Sequence, residues 1–198
     1  MANVVGIVNY GIAGNLHSIK KAVEKAGGKT IIINKSDDFN KVDRLVIPGV
    51  GSFKSAMSEL NEVNFTNQII NFDKPVLGIC LGMQVLSDFG FEYGKTKGLG
   101  LIDAEVKLIK CKDKIPHVGF GKIDVLKESK LLSGLENQEF YFMHSYEIIN
   151  FHDVVSTTTY SNHTFVSSIQ KDNFFGVQFH PEKSRSAGIN LFKNFIEL

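Results

Sequence analysis

The chain has 198 residues, a formal charge of +1 and 43% apolar side chains, which predicts one domain burying roughly 70% of the surface of its unfolded chain. Balanced charge excludes the electrostatic footprint of a nucleic-acid or anionic-membrane binder. Only two cysteines, Cys80 and Cys111, are present, in no metal-ligand spacing; this argues against a disulfide framework or a metal site and points to the reducing cytoplasm, and no apolar run is long enough for a signal peptide or a membrane span.

Short β-branched runs at 4–8, 30–33, 45–47 and 76–79 alternate with helical patterns over the first ninety residues. Their continuous apolarity suits strands covered on both faces, hence a parallel sheet. The first helix has Asn15 as its expected cap, a stripe of Leu16, Ile19, Val23 and Ala26, and a stop at Gly27-Gly28. Further helices are expected over 52–62 and 65–72, and a fourth running from Cys80 through Gln84, Leu86 and Phe89. After Gly100 the texture changes to short strands near 101–109, 120–126, 139–143, 146–150, 154–160, 164–170 and 174–179, with a closing helix over 186–197. These strands are expected to extend the same sheet in antiparallel fashion. The expectation is an α/β fold: one domain over 1–198 with a mostly parallel central sheet, flanking helices and an antiparallel extension.

Three segments carry chemistry. Gly78-Ile79-Cys80-Leu81-Gly82 has the G-x-nucleophile-x-G form of a nucleophile elbow, in which a strand turns sharply into a helix whose N-terminus suits a thiolate. By itself the pentapeptide fits a buried structural thiol equally well. The strand end Gln178-Phe179-His180-Pro181-Glu182 shifts the balance, because residues i and i+2 of an extended chain face the same way and Glu182 can then orient the His180 ring. A thiol, a base and an orienting carboxylate are together a catalytic set. Pro48-Gly49-Val50-Gly51 follows the third strand, where backbone N–H groups, with that of Leu81, can meet an oxyanion; a plain βα turn fits that tetrapeptide alone as well.

Matching stretches then run nearly end to end: Tyr10-Gly11, Gly14-Asn15-Leu16, Pro48-Gly49-Val50-Gly51, Gly78-Ile79-Cys80-Leu81-Gly82-Met83-Gln84, Gly98-Leu99-Gly100-Leu101-Ile102, Pro116-His117-Val118-Gly119, His144-Ser145-Tyr146 and Gln178-Phe179-His180-Pro181-Glu182-Lys183-Ser184. In these the chain resembles the class I (triad-type) glutamine amidotransferases, of flavodoxin-like fold, and within them the glutaminase subunits that pair with a (β/α)8-barrel cyclase in imidazole glycerol phosphate synthase. The resemblance implies a heterodimer that needs no cofactor and hydrolyses glutamine to glutamate and ammonia. In it Cys80 attacks, His180 shuttles the proton, Glu182 holds the ring, and the N–H groups of Val50 and Leu81 form the oxyanion hole. It also implies that Gly49, Gly51, Gln84, Glu92, Ser145 and Tyr146 bind glutamine, and that Asn15, Phe120 and Lys183 face the partner. His144 is expected to be structural, beside the glutamine pocket.

The chain departs from the family pattern in two places. Phe120-Gly121 stands where Trp-Asn is usual, and the loop from Asn9 to Asn15 is one residue longer. In the family both segments lie towards the partner, so a relative that supplies ammonia for sugar amidination in glycan pathways is the alternative reading. Gln84 and Glu92 in amino-acid-binding positions argue against a free-standing γ-glutamyl or cysteine peptidase, and the intact Cys, His and Glu set against a non-enzymatic scaffold.

Overall fold

The computed structural model describes residues 3–11 and 15–198. Strand β1 (Val4–Val8), helix α1 (Leu16–Lys25), β2 (Lys29–Ile33), β3 (Arg44–Ile47), helices α2 (Phe53–Glu62) and α3 (Thr66–Ile70), β4 (Val76–Ile79) and the one-turn helix α4 (Leu81–Gln84) form the first half. The second half holds β5 (Ser87–Gly90), β6 (Thr96–Lys97), β7 (Ile102–Leu108), β8 (His117–Lys122), β9 (Asp124–Val125), β10 (Glu139–His144), β11 (Tyr146–Ile149), β12 (Val154–Tyr160), β13 (His163–Lys171), β14 (Phe174–Val177) and helix α5 (Arg185–Glu197). The main sheet has the order β2-β1-β3-β4-β14-β13-β12-β9. Its first five strands are parallel and its last three antiparallel.

Alternate residues of the central strands enter two cores. Ile7, Val46, Leu77, Ile79 and Val177 pack with Ile19 and Val23 of α1 and Phe192 and Phe195 of α5. On the other face Val8, Leu45, Ile47 and Val76 pack with Phe53, Met57 and Leu60 of α2 and Ile69 of α3. Each fully buried side chain of this size contributes about 1.5–3 kcal/mol, and coverage on both faces accounts for the unbroken apolar runs. Among the described residues no helix is long and apolar enough to cross a membrane.

Helix α1 ends in a Schellman motif: Gly28 N–H donates to Val23 O and Gly27 N–H to Glu24 O, each at 3.0 Å, with Gly27 at φ +100°. Asn15, the expected cap, is different. Its backbone is left-handed at φ 76°, which turns the side chain away from the helix, and no side-chain cap forms. Gly14, within the matched first loop, and the extra residue read there lie outside the described residues.

Two further expectations are corrected. The helix after Cys80 stops at Gln84 rather than running to Phe89, because the carbonyls it would need are taken. Ser87 Oγ donates to Gln84 O at 2.7 Å, while Leu99 and Leu101 N–H donate to Val85 O and Leu86 O at 2.8 Å each. Phe89 therefore sits on β5. Nor do all the late strands extend one sheet: β8 and β10 form a separate antiparallel pair, and β11-β7-β5-β6 a four-stranded sheet. The run read as one strand over 120–126 splits at buried Ile123, where the chain leaves that pair and joins the edge of the main sheet as β9.

Candidate active site

Cys80 caps β4 at φ 53°, ψ −111°, a conformation that costs a non-glycine residue about 1–3 kcal/mol. Its N–H donates to Val177 O of β14 at 2.8 Å, so the bend is held by the neighbouring strand. The flanking glycines are required by close approach. A Cβ on Gly78 would lie 2.5 Å from Gly82 O and 2.7 Å from Met83 Cα, and one on Gly82 would run into Ile47 O. A Cβ on Gly49 would lie 2.6 Å from Gly82 N, so the 48–51 loop rests directly on the first turn of α4. Tyr10 pins that loop by donating its hydroxyl to Pro48 O at 2.6 Å. Burial, with Cys80 and Glu59 nearby, pushes the phenol well above its ordinary range.

The side chains of His180 and Glu182 are both buried, and His180 Nδ1 lies 2.9 Å from Glu182 Oε1. The expected contact exists, but by another route. Pro181–Lys183 form a 3-10 turn rather than extended chain, and that turn brings Glu182 back under the ring. The strand end is tied at three more points: His180 N–H donates to Tyr141 O at 2.8 Å, Ser184 Oγ to His180 O at 2.6 Å, and Tyr141 N–H to Ser184 Oγ at 2.9 Å. Nε2 of His180 is buried with no hydrogen-bond partner of its own. Burial disfavours the charged ring, but Cys80 and Glu182 outweigh it and raise its pKa to about 10.

A proton held this way has a measurable signature. The His180 ring should keep its imidazolium NMR shifts through neutral pH, titrating near 10, and Cys80→Ala should lower that titration by removing one of the groups that raise it. The folded value lies above the ordinary 6.5 of the unfolded chain. Its stabilisation is therefore complete below pH 6.5 and lost as pH rises towards 10. Urea midpoints should fall across that window in the wild type and less steeply in Cys80→Ala; parallel curves would contradict the account.

Asn15 was expected at a partner face, yet its Nδ2 donates to Glu182 Oε1 at 2.7 Å. The carboxylate that orients the ring is thus itself oriented by the residue at the start of α1. Asn15→Ala should slow turnover about tenfold, the effect of losing one hydrogen bond to a charged group, with KM for the small-molecule substrate little changed; a change confined to KM would contradict this role.

Cys80 and His180 line a cleft of about 90 Å³ together with Val50, Gly51, Leu81, Gln84, Glu92, Met143, His144, Ser145 and Tyr146. That is far below the roughly 300–1,000 Å³ of drug-sized sites and suits one small polar molecule. Glu92 is anchored there, accepting the Phe53 N–H at the start of α2 at 2.8 Å. Gln84 Nε2 donates to Tyr146 O and to Gln178 Oε1, each at 2.9 Å. Both its protons are spent, so its oxygen is what it can offer a ligand. His144 Nδ1 lies 2.9 Å from the same Tyr146 carbonyl, which can only accept, so the proton is on Nδ1 and Nε2 faces His117 Nδ1 at 3.4 Å. Burial first, opposed by the Tyr146 contact, brings His144 down to about 3, and it is neutral.

Of the residues singled out from sequence, Gly49 lies behind the cleft wall and Glu182 behind His180, while Phe120 and Lys183 stand outside it. Lys183 Nζ is 5.5 Å from the Tyr141 ring centre, the Arg185 guanidinium 4.6 Å from that of Phe120, and the Phe120 and Tyr141 rings meet edge-on at 5.5 Å. Val118, Phe120 and Met143 are exposed on the same face of the β8–β10 pair. Sequence reasoning assigned no role to Tyr10, Gln178 or Ser184. Only Gln178 carried a local signal, a polar residue inside an apolar run. Among the described residues no group of three or more His, Cys, Asp or Glu could hold a metal ion.

The chain belongs to the class-I glutamine amidotransferase family, whose model matches residues 7–198. It is 43% identical over 204 residues to imidazole glycerol phosphate synthase subunit HisH 1 of Campylobacter jejuni, covering 98% of this chain and 100% of the relative. It is 42% identical over 197 residues to subunit HisH of Methanocaldococcus jannaschii, with 98% and 100% covered. In fold it is similar to PurLQS from Thermotoga maritima, with a TM-score of 0.75 at 16% identity, covering 100% of this chain and 99% of the other.

Proposed function

We propose that the protein is the glutaminase subunit of imidazole glycerol phosphate synthase, hydrolysing glutamine and passing the ammonia to a (β/α)8-barrel cyclase that makes imidazole glycerol phosphate and AICAR. The observation that carries the chemistry is Cys80 and His180 lining one small polar cleft, with Glu182 bonded to the ring from behind. In this reading Cys80 Sγ attacks the side-chain amide carbon of glutamine, and the N–H groups of Val50 and Leu81 donate to the developing oxyanion. His180, held by Glu182 and already protonated, gives its proton to the departing nitrogen, which leaves as ammonia. Water, deprotonated by the same ring, then cleaves the thioester to glutamate, freeing the Cys80 sulfur and leaving His180 protonated again. Gln84, Glu92, Gly51 and the Ser145-Tyr146 segment hold the amino-acid head group.

The partner is supported by identity of about 40% to HisH subunits over nearly the whole chain and by the exposed Val118, Phe120 and Met143 stripe, whose Met143 end also lines the cleft. Ammonia released there emerges beside that stripe, and Lys183 lies along it over Tyr141. Mixing the protein with its cognate barrel subunit and acceptor should yield glutamate and imidazole glycerol phosphate together. Lys183→Ala should weaken that coupling several-fold while leaving the melting temperature unchanged. Phe120-Gly121 in place of the usual Trp-Asn favours the second reading, ammonia supply for sugar amidination. A complex that makes glutamate but no imidazole glycerol phosphate would sustain it against the first.

A further inference from the structure

The side chain of Gln178 is a buried amide that joins Cys80 to Gln84 behind the cleft. It follows β14, is 0% exposed, and its neighbours Val177 and Phe179 are equally buried. Packing alone would be served by methionine or leucine at such a position, because a buried amide is costly unless both its ends are bonded. Here both ends are bonded. Oε1 accepts from Gln84 Nε2 at 2.9 Å, and Nε2 donates to Cys80 Sγ at 3.5 Å. The backbone N–H donates to Ser167 O at 2.9 Å, so the side chain starts from a fixed point.

We propose that Gln178 steadies the thiolate of Cys80, acting as the last link of an amide chain that begins at the Tyr146 carbonyl and passes through Gln84. This rests on the reading of Cys80 as the nucleophile. The Gln84 bond fixes which end of the Gln178 amide faces sulfur: Oε1 is occupied, so an N–H points at Sγ. Donation from Gln84 also polarises that N–H. A neutral thiol is a poor acceptor and a thiolate a good one, so the bond strengthens as charge gathers on sulfur. The charge is present before the S–C bond of the thioester forms and again when water breaks that bond and sulfur leaves. Gln178 thus raises the share of attacking thiolate in the first step and supports the leaving sulfur in the second.

The test is alkylation of the purified full-length protein by iodoacetamide, read peptide by peptide by mass spectrometry with Cys111 as internal control. Two variants divide the possibilities: Q178M removes both amide functions at similar volume, and Q178E keeps the acceptor for Gln84 but replaces the donor to sulfur by an oxygen. Cys80 in Q178M should react about tenfold more slowly at pH 7, the effect expected from one hydrogen bond to a charged group. At about pH 9.5, above the ordinary thiol range, the difference should shrink to about twofold or less, because hydroxide then does the work of the donor. Q178E should be slower still at pH 7, and less stable than the wild type, because a buried carboxyl replaces a bonded N–H. Equal rates for Q178M and wild type at pH 7, or the same slowing at both pH values, would overturn the inference, since a packing defect has no reason to respond to pH. If wild-type Cys80 reacts no faster than Cys111 at pH 7, the nucleophile reading itself falls and takes this one with it; a fast wild type matched by fast variants removes only the role of Gln178.

Discussion

Cys80→Ala is expected to lower glutamate release from glutamine by at least about 10⁴-fold, the scale on which a nucleophile is lost from a covalent mechanism. No other group can substitute: Cys111 lies elsewhere, half-buried with its thiol 3.4 Å from Asp113 O, and the cleft holds no further thiol or hydroxyl except Ser145 and Tyr146. The fold should survive, because the strained backbone at residue 80 is held by the Val177 bond rather than by the side chain. His180→Gln should lose nearly as much, and the double variant little more than either alone, since residues that act as a unit are not additive. The measurement is glutamate formed in the presence of the barrel subunit and acceptor. Residual activity in Cys80→Ala above a tenth of wild type would remove Cys80 from the mechanism.

Gly82→Ala is expected to be among the costliest small substitutions near the site. The added carbon would run into Ile47 O and sit 3.1 Å from Pro48 O. Both obstacles are backbone, so neither can swing aside. A cost of about 3 kcal/mol is in line with overpacked positions, and for a chain of this size that lowers the melting temperature by about 6–12 °C. Activity should fall further than stability alone explains, because the displaced segment is the one that leads from β3 into the 48–51 loop; misplacement of about 1 Å can cost 10²-fold. Gly94→Ala is the control. It has nothing within 4 Å but a φ of +102°, so it pays only the backbone term, about 1 kcal/mol. Equal melting shifts in the two variants would refute the steric account.

The parallel half of the fold was legible because its strands are buried on both faces, which writes unbroken apolar runs into residues 4–8, 45–47 and 76–79. The contact between His180 and Glu182 was legible as a pair, though the 3-10 turn that makes it was not, since Pro181 is compatible with either path. The end of the helix after Cys80 escaped because its cause is distant: Leu99 and Leu101 claim the carbonyls that a longer helix would have used. Asn15 escaped for a similar reason, since its partner is 167 residues away and nothing in the local pattern marks a residue as serving another's carboxylate. Tertiary competition for hydrogen bonds decided each of these cases.

The insertion of β14 between β4 and β13 has a consequence for how the enzyme comes into being. Cys80 and Gln178, 98 residues apart, become neighbours only when β14 docks against β4, and Glu182 must still reach back to Asn15. On a ribosome moving from N- to C-terminus, the elbow strand would be synthesised long before His180, Glu182 and the strand that holds the bend. Closing such loops is slow relative to local structure. Alkylation of Cys80 by a small electrophile therefore serves as a timer for the final docking step.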